Sequence, residues 1–340
     1  LSIDPRAATA AVTVPATTAN LGPGFDAFGA ALSLRMTVAA VPRADERVAS
    51  TGAGSAALAS GDDNLVWSSL LAACDRFGWD VPDVSLYVDT PIPQARGLGS
   101  SSAAIVGGLA IARVLAEADA SVVVRDHAVG DVALVRLAAE LEGHPDNVGA
   151  AIHGGLVACG STDDGELVVR LSPPPASSRP VLLVPSTPSL TSDARGVVPE
   201  SLPTAEVVDQ LARAGHVLAG MTGAWPVDPR LVGDRLHEPP RLATLGAGAE
   251  LLAAMRDAGY HAWLSGAGPS LAVALPARGG TALPARGGTA LPAVSELAAT
   301  HGHEVLALEW DRQGVRSCVT DGCGVAGSPG CADCPLPSLR

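Results

Sequence analysis

Two short strings hold side chains that could do chemistry. The first, Gly97-Leu98-Gly99-Ser100-Ser101-Ser102, sets two glycines and three hydroxyls ahead of a run of small apolar residues, Ala103 to Ala118, that reads as a helix. Glycines let a backbone approach an anion without Cβ obstruction, a helix start offers unpaired N–H groups, and serine oxygens suit Mg²⁺. A plain helix cap would look the same, and the string alone does not separate the two. The second string, Glu140-Leu-Glu142-Gly-His144-Pro-Asp146-Asn147, gathers carboxylates, an imidazole and an amide at the end of a helical run, Val129 to Leu141. Helix positions two apart point about 200° away from each other, so at most one of the two glutamates faces a shared cleft. Gly143, His144 and Pro145 end that helix, which leaves Asp146 and Asn147 in the loop beyond it.

Composition removes several alternatives. Every one of the 22 basic residues is arginine, so a Walker A lysine, a Schiff-base lysine and the strand lysine of protein kinases are all excluded. No Gly-x-Gly-x-x-Gly register opens a helix, which disfavours a nicotinamide dehydrogenase. A net charge of -13 argues against the basic footprint that nucleic acid requires. The tail carries Cys318, Cys323, Cys331 and Cys334 with a single Cys-x-x-Cys, a weak signal for zinc, and thiols in a disordered appendage are the simpler expectation.

The elements that must position these groups follow from pattern. Ala11 to Pro15 alternates as a strand and runs into a turn-rich string, Asn20-Leu-Gly-Pro-Gly-Phe-Asp26. A second strand, Val84 to Val88, leads through Pro91 and Pro93 into the glycine loop, and Val181 to Val184 is a short apolar strand after a proline-rich stretch. At 340 residues with 47% hydrophobic and 17% charged residues, the chain is an ordered globular protein large enough for two domains. The expected divisions are 1–165, 166–316 and a tail at 317–340. Leu275-Pro-Ala-Arg-Gly-Gly-Thr-Ala282 is repeated as Leu283 to Ala290, an insertion near 275–292 expected in a solvent loop. The apolar stretch Ala103 to Ala112 is too short to cross a bilayer, and a cytoplasmic location is expected.

Three strings in order resemble one family: Pro15-Ala-Thr-Thr-Ala-Asn-Leu-Gly-Pro-Gly-Phe-Asp26, Gly97 to Ala103, and Ser265-Gly-Ala-Gly-Pro-Ser270. The chain, over roughly Val12 to Arg316, resembles the GHMP small-molecule kinases, and the first string with Glu142 to Asn147 points to their homoserine kinase branch. The resemblance implies an α+β two-domain fold, a sheet-and-helix N-terminal ATP-binding domain followed by a ferredoxin-like domain. It implies ATP with Mg²⁺, the small-molecule substrate L-homoserine, and a homodimer. Asn20, Asp26, His144, Thr191, Arg195 and Arg241 would bind the amino acid, with Asp26 on its ammonium group and the two arginines on its carboxylate. Asn64, Pro93, Arg96, Gly97, Leu98, Gly99, Ser100, Ser101 and Ser102 would bind the nucleotide. Ser101 and Glu142 would hold the metal, with Glu140 as the alternative to Glu142. Asn147 stands where some relatives have an aspartate base, so catalysis would rest on Asn147, Ser101 and Glu142 aligning and neutralising the reacting groups.

Overall fold

The computed structural model describes residues 3–53, 55, 61–118, 131–174, 176–185, 196–276 and 290–319. In chain order, the first part holds β1 (Ala10–Asn20), β2 (Gly24–Pro42), β3 (Val48–Thr51), α1 (Leu65–Phe77), β4 (Val84–Asp89), α2 (Ser100–Ala118), α3 (Asp131–Glu142), α4 (Pro145–His153), β5 (Leu156–Ser161) and β6 (Leu167–Ser172). The second holds β7 (Ser178–Pro185), α5 (Thr204–Met221), α6 (Glu238–Leu242), α7 (Ala247–Asp257), β8 (His261–Leu264), β9 (Leu271–Pro276), α8 (Ala290–Thr300) and β10 (His303–Ala307), and the chain then adds β11 (Arg316–Val319).

Two sheets organise these elements. The seven-stranded sheet runs β11-β1-β2-β4-β3, and β5 and β6 extend from the other half of the long β2. All eleven residues of β1 are buried, because helices cover one face and the second part of the chain reaches the other end of the strand; alternation therefore fails along it. The four-stranded sheet runs β10-β7-β9-β8, all antiparallel. Its strand-helix-strand-strand-helix-strand path with the order 4-1-3-2 is ferredoxin-like, as expected.

Long-range pairing moves the expected boundaries. β5 pairs β6 from Leu156↔Ser172 to Ser161↔Leu167, so a division at 165/166 cuts between two partners of one sheet. Residues 317–319, expected in the tail, lie in β11, which returns to the first sheet and pairs Ala11 with Cys318. The thiols of Cys74 and Cys159 are unbridged. The rest of the tail and the interior of the duplicated octapeptide lie outside the described residues.

Helix α2 is the central element for the site. Its length and apolarity would suffice for a membrane span, yet most of it is buried inside the protein. Twelve of its residues, Ser102 to Ala112 and Val114, are buried. Gly108 permits this packing, since a Cβ there would lie 2.2 Å from the Val66 carbonyl of α1.

Candidate active site

The glycine loop is shaped by contacts that only glycine tolerates. Gly97 and Gly99 take φ of +70° and +65°, and a Cβ would sit 2.0 Å from the Ser265 carbonyl at Gly97 and 1.9 Å from Thr17 Oγ1 at Gly99. Helix α2 starts at Ser100, so the N–H groups of its first turn have no intrahelical partner and lie at the loop. These features suit a polyphosphate.

The same helix start meets one carboxylate. Ser101 Oγ and Ser102 Oγ donate to Glu142 Oε1 at 2.6 and 2.8 Å. Two hydroxyls converging on a carboxylate oxygen form a hard-oxygen donor set of the kind Mg²⁺ prefers. Glu140 faces elsewhere: it is exposed and pairs with Arg76 of α1, 3.3 Å from NH1 to Oε1. Of the two glutamates, Glu142 is therefore the one at the cleft.

Asp146 and Asn147 lie in the first turn of α4, not in a loop, because Pro145 occupies a helix-start position where its missing N–H costs nothing. Both are buried. The Asp146 carboxylate accepts from His144 Nδ1 at 2.6 Å and from the Asn147 N–H at 2.8 Å. That orients His144 and leaves its Nε2 3.9 Å from Glu142 Oε1. The Asn147 side chain accepts from the buried Thr17 hydroxyl at 2.7 Å.

The facing ends of β1 and β2 and the end of α6 supply the remaining groups. Asn20, at φ +70°, donates to the Gly266 carbonyl and accepts from the Asp26 N–H at 3.3 Å. Asp26, His144 and Asp146 each bring one ligand atom within 4.8 Å of the others, an anionic cluster suited to a cation. Arg241 is buried, with its guanidinium 5.2 Å above the Phe25 ring. It donates to His237 Nδ1 at 3.1 Å and to the Gly266 carbonyl at 3.2 Å. His237 in turn stacks on Phe25 and donates from Nε2 to the Gly22 carbonyl.

One cavity of about 490 Å³ collects most of these residues: Asn20, Asp26, His144 and Arg241, the loop residues Arg96 to Ser101, and Glu142, Asp146 and Asn147. Pro93, Asn64 and Ser102 do not line it. Asn64 is fully buried and its side-chain oxygen caps α1 by accepting the Val66 N–H at 2.9 Å; its neighbours Asp63 and Leu65 reach the cavity instead. Thr191 and Arg195 lie outside the described residues. Pattern reading missed Phe25, Gln94 and Ala267 as lining residues, although each sits within or beside a string already singled out. It also missed Thr17 and His237, whose part is to hold lining residues and which carry no signal of their own.

Comparison with known proteins places this geometry. Residues 64–155 match the GHMP kinases N terminal domain. The chain is 38% identical to a homoserine kinase of Moorella thermoacetica over 264 residues, 76% of this chain and 85% of the relative. It is also 38% identical to one of Clavibacter michiganensis over 270 residues, 77% of this chain and 81% of the relative. The crystal structure of a homoserine kinase from Cytophaga hutchinsonii superposes with a TM-score of 0.72 at 23% identity, covering 91% of this chain and 98% of the other. A Streptococcus pneumoniae phosphomevalonate kinase in complex with phosphomevalonate and AMPPNP superposes at 0.64 and 13% identity, covering 88% and 99%. These last two likenesses establish the fold; one fold serves different acceptors, so the acceptor must be argued from the cleft.

Proposed function

The chain belongs to the homoserine kinases of the GHMP kinase family, and from that membership we propose that it transfers the γ-phosphoryl group of ATP to the side-chain hydroxyl of L-homoserine. The product is O-phospho-L-homoserine, a step of threonine biosynthesis. The observation that carries this reading is the pairing, in one cavity, of a glycine-serine helix start with an anionic cluster and a buried arginine. The first suits a triphosphate. The other two suit the ammonium and carboxylate ends of an amino acid, with Asp26 on the ammonium and Arg241 on the carboxylate. Mevalonate has no ammonium and galactose has neither group.

In this reading the backbone of Gly97 to Ser100 and the first turn of α2 hold the phosphates, with Arg96 beside them. Ser101 and Glu142 would hold Mg²⁺, which offsets the charge that develops on the phosphate oxygens. The hydroxyl oxygen of homoserine forms a bond to the γ-phosphorus as the bond to the β–γ bridging oxygen breaks, and the hydroxyl proton leaves with a transferred phosphoryl oxygen. Asp146 is committed to His144 and to the Asn147 N–H, which supports a positioning role over that of a base. Rate then comes from alignment and charge stabilisation. Val207, Val208 and Leu211 expose an apolar stripe on α5, which supports the homodimer implied by family resemblance, and sedimentation velocity checks it. The activity is tested by incubating the chain with Mg-ATP and L-homoserine. O-phosphohomoserine is expected, and its absence alongside phosphorylation of mevalonate or galactose would sink the reading.

A further inference from the structure

We infer that Thr17 is a positioning residue for the transfer step: its hydroxyl sets the Asn147 side-chain amide so that the NH₂ end, and not the carbonyl, faces the reacting groups. This inference rests on the function proposed above and names a residue beyond those that line the cavity.

Thr17 is fully buried on β1, and its hydroxyl bonds to Asn147 Oδ1 at 2.7 Å. A buried hydroxyl with one side-chain partner donates to it, because an unmet O–H costs more than an unused lone pair. Asn147 must then turn its oxygen to Thr17. Its Nδ2 is left with one long contact, 3.4 Å to Asp146 Oδ1, in a residue that lines the cavity. The oxygens of a transferring phosphoryl group are acceptors, so an amide N–H stabilises them and a rotated amide would oppose them with a carbonyl.

Thr17 is itself held against the phosphate loop. Its N–H donates to the Leu98 carbonyl at 3.1 Å, and Gly99 leaves no room for a side chain beside Oγ1. Loop, hydroxyl and amide are thus in direct contact. The next residue, Thr18, is equally buried but points to the opposite face of the strand. There it accepts from Trp263 Nε1 at 3.0 Å and meets Ser265 Oγ at 2.9 Å, which donates to the Gly97 carbonyl. Thr18 is therefore a comparison for the loss of a buried hydroxyl that reaches the loop through Ser265 and Gly97 without touching Asn147.

The test is steady-state kinetics on the full chain with Mg-ATP and L-homoserine, comparing Thr17→Val, Thr17→Ser, Asn147→Ala, the double variant and Thr18→Val. Thr17→Val is expected to lower kcat about tenfold with both KM values within about twofold, and Thr17→Ser to restore it. In the Asn147→Ala background, Thr17→Val should cost nothing further. An equal loss in that background would assign the effect to packing and overturn the inference. Any loss in Thr18→Val, which acts through Ser265 and Gly97, is expected to persist in the Asn147→Ala background, and its disappearance there would equally overturn the inference. If the wild-type chain phosphorylates a different alcohol, the substrate reading fails while the same variants are compared on that alcohol. A neutron crystal structure of Thr17→Val, in which the amide deuterons are seen, decides the geometric half without any substrate: the Asn147 amide is expected to rotate, and an unchanged amide overturns the idea.

Discussion

Glu142 and Arg241 line the same cavity but are held there by different kinds of neighbour. Glu142 is fixed by Ser101 and Ser102 at the start of α2, all within the part of the chain built on the seven-stranded sheet. Arg241 stands on α6, and its contacts come from both parts: His237 and Gly266 from the second, Phe25 from the start of β2 in the first. Further bonds tie the parts together near it, including His237 Nε2 to the Gly22 carbonyl and His261 Nε2 to the Leu21 carbonyl. Behind them, Glu238 accepts from Arg256, from the Leu264 N–H and from the Asp234 N–H, which fixes α6 against β8. The Ser101–Ser102–Glu142 group is thus a property of one sheet and its helices, while the glycine loop beside it also takes a bond from Ser265 of the second part. The Arg241 side of the acceptor end takes its place only while the two sheets stay docked.

Substitutions that separate rate from acceptor binding sharpen this contrast. Glu142→Gln keeps the shape and removes the charge, and it should lower kcat by about 10²–10³ with homoserine KM little changed. A loss confined to KM would break the assignment. Acid should attack the docking. Burial lowers the His261 imidazole from its ordinary 6.5 to about 4, so the unfolded chain binds one more proton between those pH values. Stability from this group is present above pH 6.5 and is lost as pH falls toward 4, on the order of 3 kcal/mol. Urea unfolding of the wild type and His261→Gln at pH 7 and pH 5 checks this, and the pH effect should be smaller in the variant.

Smaller effects follow. Arg241→Ala should raise homoserine KM about 10–100-fold, as loss of a charge-assisted pair does, with ATP KM nearly constant, as substrate titrations would show. Equal rises in both would mean the acceptor end is not separate. Glu140→Ala removes an exposed ion pair with Arg76 and should leave the urea midpoint nearly unchanged, as solvent screens such pairs, and kcat unchanged. A large kcat loss there would reopen the choice between the two glutamates.

Much of the phosphate end is legible in the amino-acid sequence. A glycine-serine string ahead of an apolar helix reads directly, because the chemistry lies in consecutive residues, and the helix angle alone shows that Glu140 and Glu142 cannot share a cleft. Which glutamate faces it is not legible, since that depends on Arg76 of α1 and on the serines of α2. Asn64 is expected at the nucleotide, yet its side chain caps a helix, a use that the same residue type serves equally well. The placement of Asp146 and Asn147 in a loop fails because Pro145 can end one helix or begin another.

What the sequence determined by itself was local: the loop, the strands and helices that flank it, the absence of lysine chemistry, and the family resemblance. Tertiary structure alone decided that β6 and β11 belong to the first sheet, that Thr17 meets Asn147 130 residues away, and that His237 and Phe25 frame Arg241. The reason is physical. Local preferences act over a few residues of backbone, whereas strand partners and buried hydrogen bonds are selected by the packing of surfaces that the chain brings together only when it folds.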